Sequence, residues 1–194
     1  RPHGERVAAL ARELYRKAAP RPDPDAERHV VWSALLHEVG YPVSHIGFHK
    51  HGAYILGNAD MPGFSRQEQQ WMALLVLGCR GGLDKVEGAL ADASLRAQLL
   101  ALRLAVLFHH ARQPIDTPRI GIRPGRTFGV EVSARWLRAH PLSAHLLAKE
   151  RDPDLDVVIE RRLGGRICER TPAGDEHDWG EVTTWEPPRA FGYL

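Results

Sequence analysis

Residues 37–52, HEVGYPVSHIGFHKHG, hold four of the 11 histidines in the chain: His37, His45, His49 and His51. Glu38 follows the first, and Lys50 sits between the last two. Two chemistries are open to such a stretch. Imidazole and carboxylate together suit divalent ions such as manganese, zinc or iron. A histidine followed directly by a carboxylate offers two ligands where a helix ends, and His3, at the start of the first helix, comes near His37 if the helices pack antiparallel. His45, His49 and His51 could complete that cluster. The alternative is an anion site: imidazoles flanking Lys50, joined by Arg66, Arg80 and Arg103, would suit phosphate oxygens. The same residues serve both readings, so composition leaves them open. A purely structural role is open too, with His37 buried at a helix end and the 45–51 segment a solvated loop.

These side chains must be positioned by helices. Residues 4–19 place Val7, Leu10, Ala11, Leu14 and Ala18 on one stripe. Pro20, Pro22 and Pro24 then stop that helix. Asp25 is read as the cap of a second helix running to about Val39, closed by Gly40. A short helix is expected near 50–58, after which Asp60-Met61-Pro62-Gly63 reads as a turn. Ser65 and Glu68 have capping-box spacing and open a helix to about Gly78. Ser94 is read as the cap of a helix from Leu95 to about Arg112, apolar nearly all round and so central and buried. Together these give an all-α domain over residues 1–113. Ile120 and Ile122, then Phe128, Val130 and Val132, alternate around Pro124-Gly125 as a hairpin does. With a helix over about 134–150 they form a small α+β subdomain, 114–150. Residues 151–194, rich in proline and charge, read as an irregular or extended tail, with room for a hairpin around Gly164-Gly165.

Length and composition bound the function. A chain of 194 residues with 43% hydrophobic and 26% charged residues is long enough to bury a core. A net charge of +2 argues against coating nucleic acid by bulk charge, and leaves room for a local basic pocket. Two cysteines without a CxxC argue against a disulfide framework and point to a reducing cytoplasm. The apolar run around residues 72–78 is too short to span a membrane, and the chain opens with neither methionine nor secretory signal. It reads as part of something longer. Cys79 reads as a small apolar residue.

The opening HGERV, about 30 residues before LLHEVG, resembles the HD-domain phosphohydrolase superfamily, with His37-Glu38 where that superfamily has a His-Asp pair. More specifically, the composite of LLHEVG, SH-x-G-x-HKHGAYIL and ADMPGFS-x-x-EQ is similar to the HD-like C-terminal region of exopolyphosphatases and guanosine pentaphosphate phosphohydrolases. The likeness extends through LRLAVLFHHAR to about residue 150. It implies a mainly α fold, an HD-like helical domain followed by a small α+β subdomain. It also implies a substrate among phosphoanhydrides, inorganic polyphosphate or guanosine pentaphosphate, and a homodimer. The actin-like domains that carry the principal catalytic glutamate in that family have no counterpart in this sequence. The resemblance therefore implies His37 and Glu38 as catalytic candidates. His45, His49, Lys50, His51, Arg80 and Arg103 become candidates for binding substrate, and His3, His37 and Glu38 for a divalent ion, magnesium or manganese.

Two departures bear on that ion. Val106 stands where the superfamily has its distal aspartate, and Glu38 is one methylene longer than aspartate. His109 and His110, about one turn beyond Val106, could substitute as ligands. Three functions follow: a polyphosphate-binding half of an exopolyphosphatase-like enzyme, a free-standing HD-type hydrolase, or a dimerisation scaffold with a vestigial site.

Overall fold

The computed structural model describes residues 2–110, 112, 120–123, 129–139, 156–159, 162, 166–170, 176–186 and 190–193. The chain divides into two compact units, Arg1–Ser133 and Ala134–Leu194. That boundary falls inside the segment assigned from sequence to one small subdomain.

In the first unit α1 (Pro2–Ala18) opens with a proline, tolerated in a first turn because its missing N–H would have had no helical partner. All five residues of the expected stripe are buried, with Tyr15 beside them. Helix α2 (Pro24–Leu36) is capped by Asp23, not by Asp25: the Asp23 carboxylate accepts from the Ala26 amide at 2.8 Å, and Pro24 takes the first helical position. The helix also ends at Leu36, short of Val39, with His37 as its C-cap. The turn that follows is set by Gly40. A β-carbon there would lie 2.0 Å from the Phe48 carbonyl oxygen and 2.5 Å from the Gly52 nitrogen, so only glycine lets the turn lie against the next helix.

That helix, α3 (Phe48–Asn58), packs on α4 (Arg66–Gly78). Leu56, Met72, Ala73 and Val76 form their shared core, joined by Trp32, Leu36 and Phe64. The Ser65–Glu68 capping box is complete: the serine oxygen accepts from the Glu68 amide, and the glutamate accepts from the Ser65 amide. A 3-10 helix at Asp84–Ala91, which the sequence reading passed over, connects to α5 (Ala93–Phe108). Asp92, not Ser94, caps α5, its carboxylate accepting from Leu95 at 2.8 Å. Aspartate and serine cap about equally well; here Ser94 lies inside the first turn and its hydroxyl accepts from Gln98. Leu99, Leu102, Leu104 and Leu107 of α5 are all buried, each contributing about 1.5–3 kcal/mol relative to exposure. Strands β1 (Gly121–Arg123) and β2 (Gly129–Glu131) pair antiparallel with Ile122 opposite Val130, as the alternation predicts. Phe128 and the Pro124-Gly125 turn lie outside the described residues.

The second unit opens with α6 (Ala134–Ala139); the rest of the helix expected to residue 150 lies outside the described residues. Where the sequence suggested a tail with room for one hairpin there is a four-stranded antiparallel sheet, whose β3–β4 pair is that hairpin. Its strands are β3 (Asp156–Ile159), β4 (Arg166–Arg170), β5 (Glu176–Glu186) and β6 (Ala190–Tyr193), in that spatial order. The prolines that argued for irregular chain, Pro172, Pro187 and Pro188, fall between strands in sequence. Val157, Val158, Ile159, Ile167, Val182, Thr183, Thr184 and Trp185 supply the β-branched and aromatic residues that strands favour. The molecule is mainly α with a small α+β part.

Candidate functional site

The end of α2, the start of α1 and the segment after α5 converge on Glu38. At Gly4, α1 starts close against the last turn of α2, where a β-carbon would lie 3.4 Å from the Leu35 carbonyl oxygen, about van der Waals contact. The His3 Nε2 atom thereby lies 3.5 Å from Oε1 of Glu38, and the His37 Nε2 atom lies 3.9 Å from the same oxygen. One ligand atom from each of His3, His37 and Glu38 lies within 4.8 Å of the others. They line a cleft of about 420 Å³ with Gly4, Glu5, Leu35 and Arg112.

The hydrogen bonds fix the chemistry of this cleft. His37 is buried, and its Nδ1 lies 2.6 Å from the Ala34 carbonyl oxygen. A carbonyl can only accept, so Nδ1 carries the proton and Nε2 keeps its lone pair toward Glu38. Burial holds both His37 and His3 below the usual imidazole range, against the opposing pull of the Glu38 charge. Nδ1 of His3 is buried and has no hydrogen-bond partner among the described residues. The His109 ring stands edge-on to that of His3 at 6.5 Å, and burial, with His3 next, pushes its pKa down to about 4. His109 therefore backs His3 as a neutral ring. His110 turns its Nδ1 to the Leu107 carbonyl. Glu38 already has one cation: Arg112 donates to Oε1 at 2.5 Å. Arg112 adopts a left-handed backbone with φ of 60°, and its own carbonyl accepts from Arg6 at 2.7 Å.

The remaining candidates divide. Around buried His49 stand Lys85, Lys50, Arg80 and Arg103; burial first, and then these four charges in that order, push its pKa down to about 4. Nδ1 of His49 has no hydrogen-bond partner among the described residues. Arg103 is buried on α5 and donates to the Gly78 and Gly81 carbonyls at 2.6 and 3.0 Å, so it braces the loop that carries Arg80. Lys85 donates to the Arg80 carbonyl. Cys79 is buried, and burial pushes its thiol up to about 12, which makes it the small inert residue expected from sequence.

His45 is exposed and lies against Tyr41, ring centroids 4.8 Å apart. His51 is half-buried on α3, its Cβ close to Gly40. Arg66 is elsewhere: it donates to the Gly57 carbonyl and lines a second cleft with Asn58, Met61, Phe64 and Gln69. Three contributors escaped the sequence reading, namely Arg112, Lys85 and Tyr41. Tyr41 stacks on Phe48 at 4.2 Å, with the Arg112 guanidinium 5.8 Å from the Tyr41 ring and that of Arg80 6.0 Å from Phe48. An aromatic pair thus stands between the Glu38 cleft and the His49 cluster. Lys85 had no signal, because the 3-10 helix that presents it lacks helical periodicity.

The helical unit thus carries a His-Glu cleft and, apart from it, a cluster of cations around a buried imidazole. Residues 1–151 match the model of the family described as Ppx/GppA phosphatase, domain III, and the chain belongs to that family. It is 31% identical over 170 residues to a guanosine-5'-triphosphate,3'-diphosphate pyrophosphatase of Vibrio vulnificus, covering 82% of this chain and 34% of the relative. The protein of that name in Pseudoalteromonas translucida is 36% identical over 121 residues, 60% of this chain and 24% of the relative. The chain spans about a third of the length of the first of these relatives. Among the described residues no helix is long and apolar enough to cross a membrane.

Proposed function

We propose that this chain serves a Ppx/GppA-type phosphohydrolase as the helical region that grips the phosphate chain of its substrate, inorganic polyphosphate or guanosine pentaphosphate. The supporting observation is that the charges of Lys85, Lys50, Arg80 and Arg103 all act on the buried His49 imidazole. Cations gathered around an imidazole favour phosphate oxygens, and Lys50 and Arg80 are exposed enough to reach them. The names of the relatives support a guanosine polyphosphate, and both substrates present the same phosphate tail. Isothermal titration of the chain with polyphosphate at two salt concentrations tests the reading. Binding should weaken with salt and fall about tenfold or more in a Lys85→Ala, Arg80→Ala double variant. No binding by the folded chain, or binding that this variant leaves intact, rejects it. The homodimer belongs to the same proposal and is read by sedimentation.

A free-standing hydrolase is the second reading, favoured by the clustering of His3, His37 and Glu38. In it the ion would lower the pKa of a bound water and a nearby imidazole would take its proton. Phosphate release from polyphosphate by the chain alone, with manganese or magnesium, decides it. Release must need metal and vanish in both His37→Ala and Glu38→Gln, the second variant guarding against misfolding of the first.

A further inference from the structure

We propose that Lys85 is an acyl-accepting lysine. It takes the acyl group of a small acyl phosphate whose phosphoryl end docks on the cations around His49, and once acylated it no longer helps to grip a phosphate chain. The proposal rests on the reading of the His49 cluster as a phosphate site and adds a means of turning that site down.

The chain has four lysines, of which Lys17, Lys50 and Lys85 lie among the described residues. An acyl phosphate needs a neutral amine to attack its carbonyl carbon and cations to hold its phosphoryl end. Lys17 is ill suited, since its ammonium pairs with Glu13 at 2.6 Å and donates to the Ile120 carbonyl at 3.1 Å. Lys50 belongs to the cluster but stands exposed on α3. Lys85 is half-buried within it. Burial first, then Arg103 and Lys50, hold its amine below the usual lysine range, with Cys79 and Asp84 pulling the other way. Its hydrogen bond runs to the Arg80 carbonyl, a neutral partner, where that of Lys17 runs to a carboxylate.

The loop before the 3-10 helix leaves the amine open to a donor. A β-carbon on Gly81 would stand 3.2 Å from Nζ of Lys85 and 3.7 Å from Nε2 of His49, so amine and imidazole flank one residue that has no side chain. Gly81 takes a left-handed backbone with φ of 75°, and both it and Gly82 are exposed. Arg103 holds this loop by the Gly78 and Gly81 carbonyls, which fixes Arg80 and Lys85 beside each other.

The step needs no further reactant. The Lys85 nitrogen attacks the acyl carbon, a C–N bond forms, and the bond from that carbon to the phosphate oxygen breaks. The amine gives one proton to water, and inorganic phosphate leaves with the bonding pair, its charge held by Lys50 and Arg80. The product amide is uncharged, so the cluster falls from four cations to three.

The test treats the 194-residue chain with acetyl phosphate at neutral pH and maps the lysines by peptide mass spectrometry. Lys85 should be acetylated at least about fivefold faster than Lys17 or Lys50. Added polyphosphate should remove that lead, as should Arg80→Ala, checked for native circular dichroism. N-hydroxysuccinimidyl acetate, which has no phosphoryl end, should show a smaller lead. The acetylated chain should bind polyphosphate several-fold more weakly in calorimetry, and Lys85→Arg, which has no acylable amine, should lose none of its own affinity on the same treatment. Even acetylation of the three lysines overturns the proposal, as does a lead that polyphosphate leaves intact, an equal lead with the succinimidyl reagent, or acetylation of Lys85 that costs no affinity. Calorimetry of the untreated chain separates the two readings. Polyphosphate binding with even acetylation removes this proposal alone, whereas absence of binding removes the phosphate grip and this proposal with it.

Discussion

Arg112 and Glu38, 74 residues apart, meet where the segment after α5 reaches the end of α2, the guanidinium Nη1 donating to Oε1. The pair joins the two helices and sets the charge of the cleft. Its contribution to stability is small, because the arginine is more than half exposed and exposed pairs contribute about 0–1 kcal/mol. Arg112→Ala should therefore shift urea unfolding by less than about 1 kcal/mol. A loss several times larger would mean that the pair is principally a structural clasp.

Gly40 should tolerate no side chain. A β-carbon there would overlap backbone atoms of Phe48 and Gly52, which cannot rotate away. Gly40→Ala is expected to cost about 3 kcal/mol or more. Thermal unfolding of the variant measures it, and a midpoint equal to that of the parent would contradict the packing described for this turn.

The caps distinguish neighbouring residues. Asp92→Ala should cost about 1 kcal/mol through loss of the bond to the Leu95 amide. Ser94→Ala, which removes only a contact with Gln98 inside the helix, should cost less than half of that. Equal losses in chemical unfolding would restore Ser94 as the cap.

Acid should unfold the helical unit through His49 and His109. Both are held neutral, with pKa values pushed from 6.5 to about 4 by burial. Between those values the unfolded chain takes up protons that the folded chain refuses, so stability is constant above pH 6.5 and falls as pH drops toward 4. The slope is at most about 1.4 kcal/mol per pH unit for each group, and less where water screens the ring. His109→Gln should flatten the dependence of the thermal midpoint on pH across that window, and an unchanged slope would rule the group out.

Arg66 should be silent in phosphate binding. It is engaged with Gly57 at a different cleft, so Arg66→Ala should bind polyphosphate with the affinity of the parent chain in the titration that reads Lys85. A tenfold loss would relocate the anion site.

Helices with an apolar stripe and an unambiguous cap were legible before any coordinates. Val7, Leu10, Leu14 and Ala18 were buried as their spacing required, and Ser65 with Glu68 formed its box. Where two capping residues stood close together, as with Asp23 and Asp25 or Asp92 and Ser94, propensity could not choose, because both types cap well. In the second unit the pairing of β3 with β4 was legible as a hairpin about Gly164-Gly165, whereas β5 and β6 were obscured by Pro172, Pro187 and Pro188, which lie outside them in sequence. In the site, His3, His37 and Glu38 were named from type and spacing, because a single helix–helix approach brings them together. Arg112 and Lys85 were not. Their places depend on a left-handed residue after α5 and on a 3-10 turn, and neither leaves a periodic trace.

The Arg6 bond to the Arg112 carbonyl closes 106 residues of chain in one contact. A clasp of that span forms late, since the loop entropy is offset only after α1 and α5 have docked. Until then Glu38 stands without its guanidinium, and His3 stands without the ring of His109 behind it. The cleft is thus a property of the completed fold. A nascent chain ending before residue 112 would carry His3, His37 and Glu38 in its sequence and lack the guanidinium that pairs with Glu38.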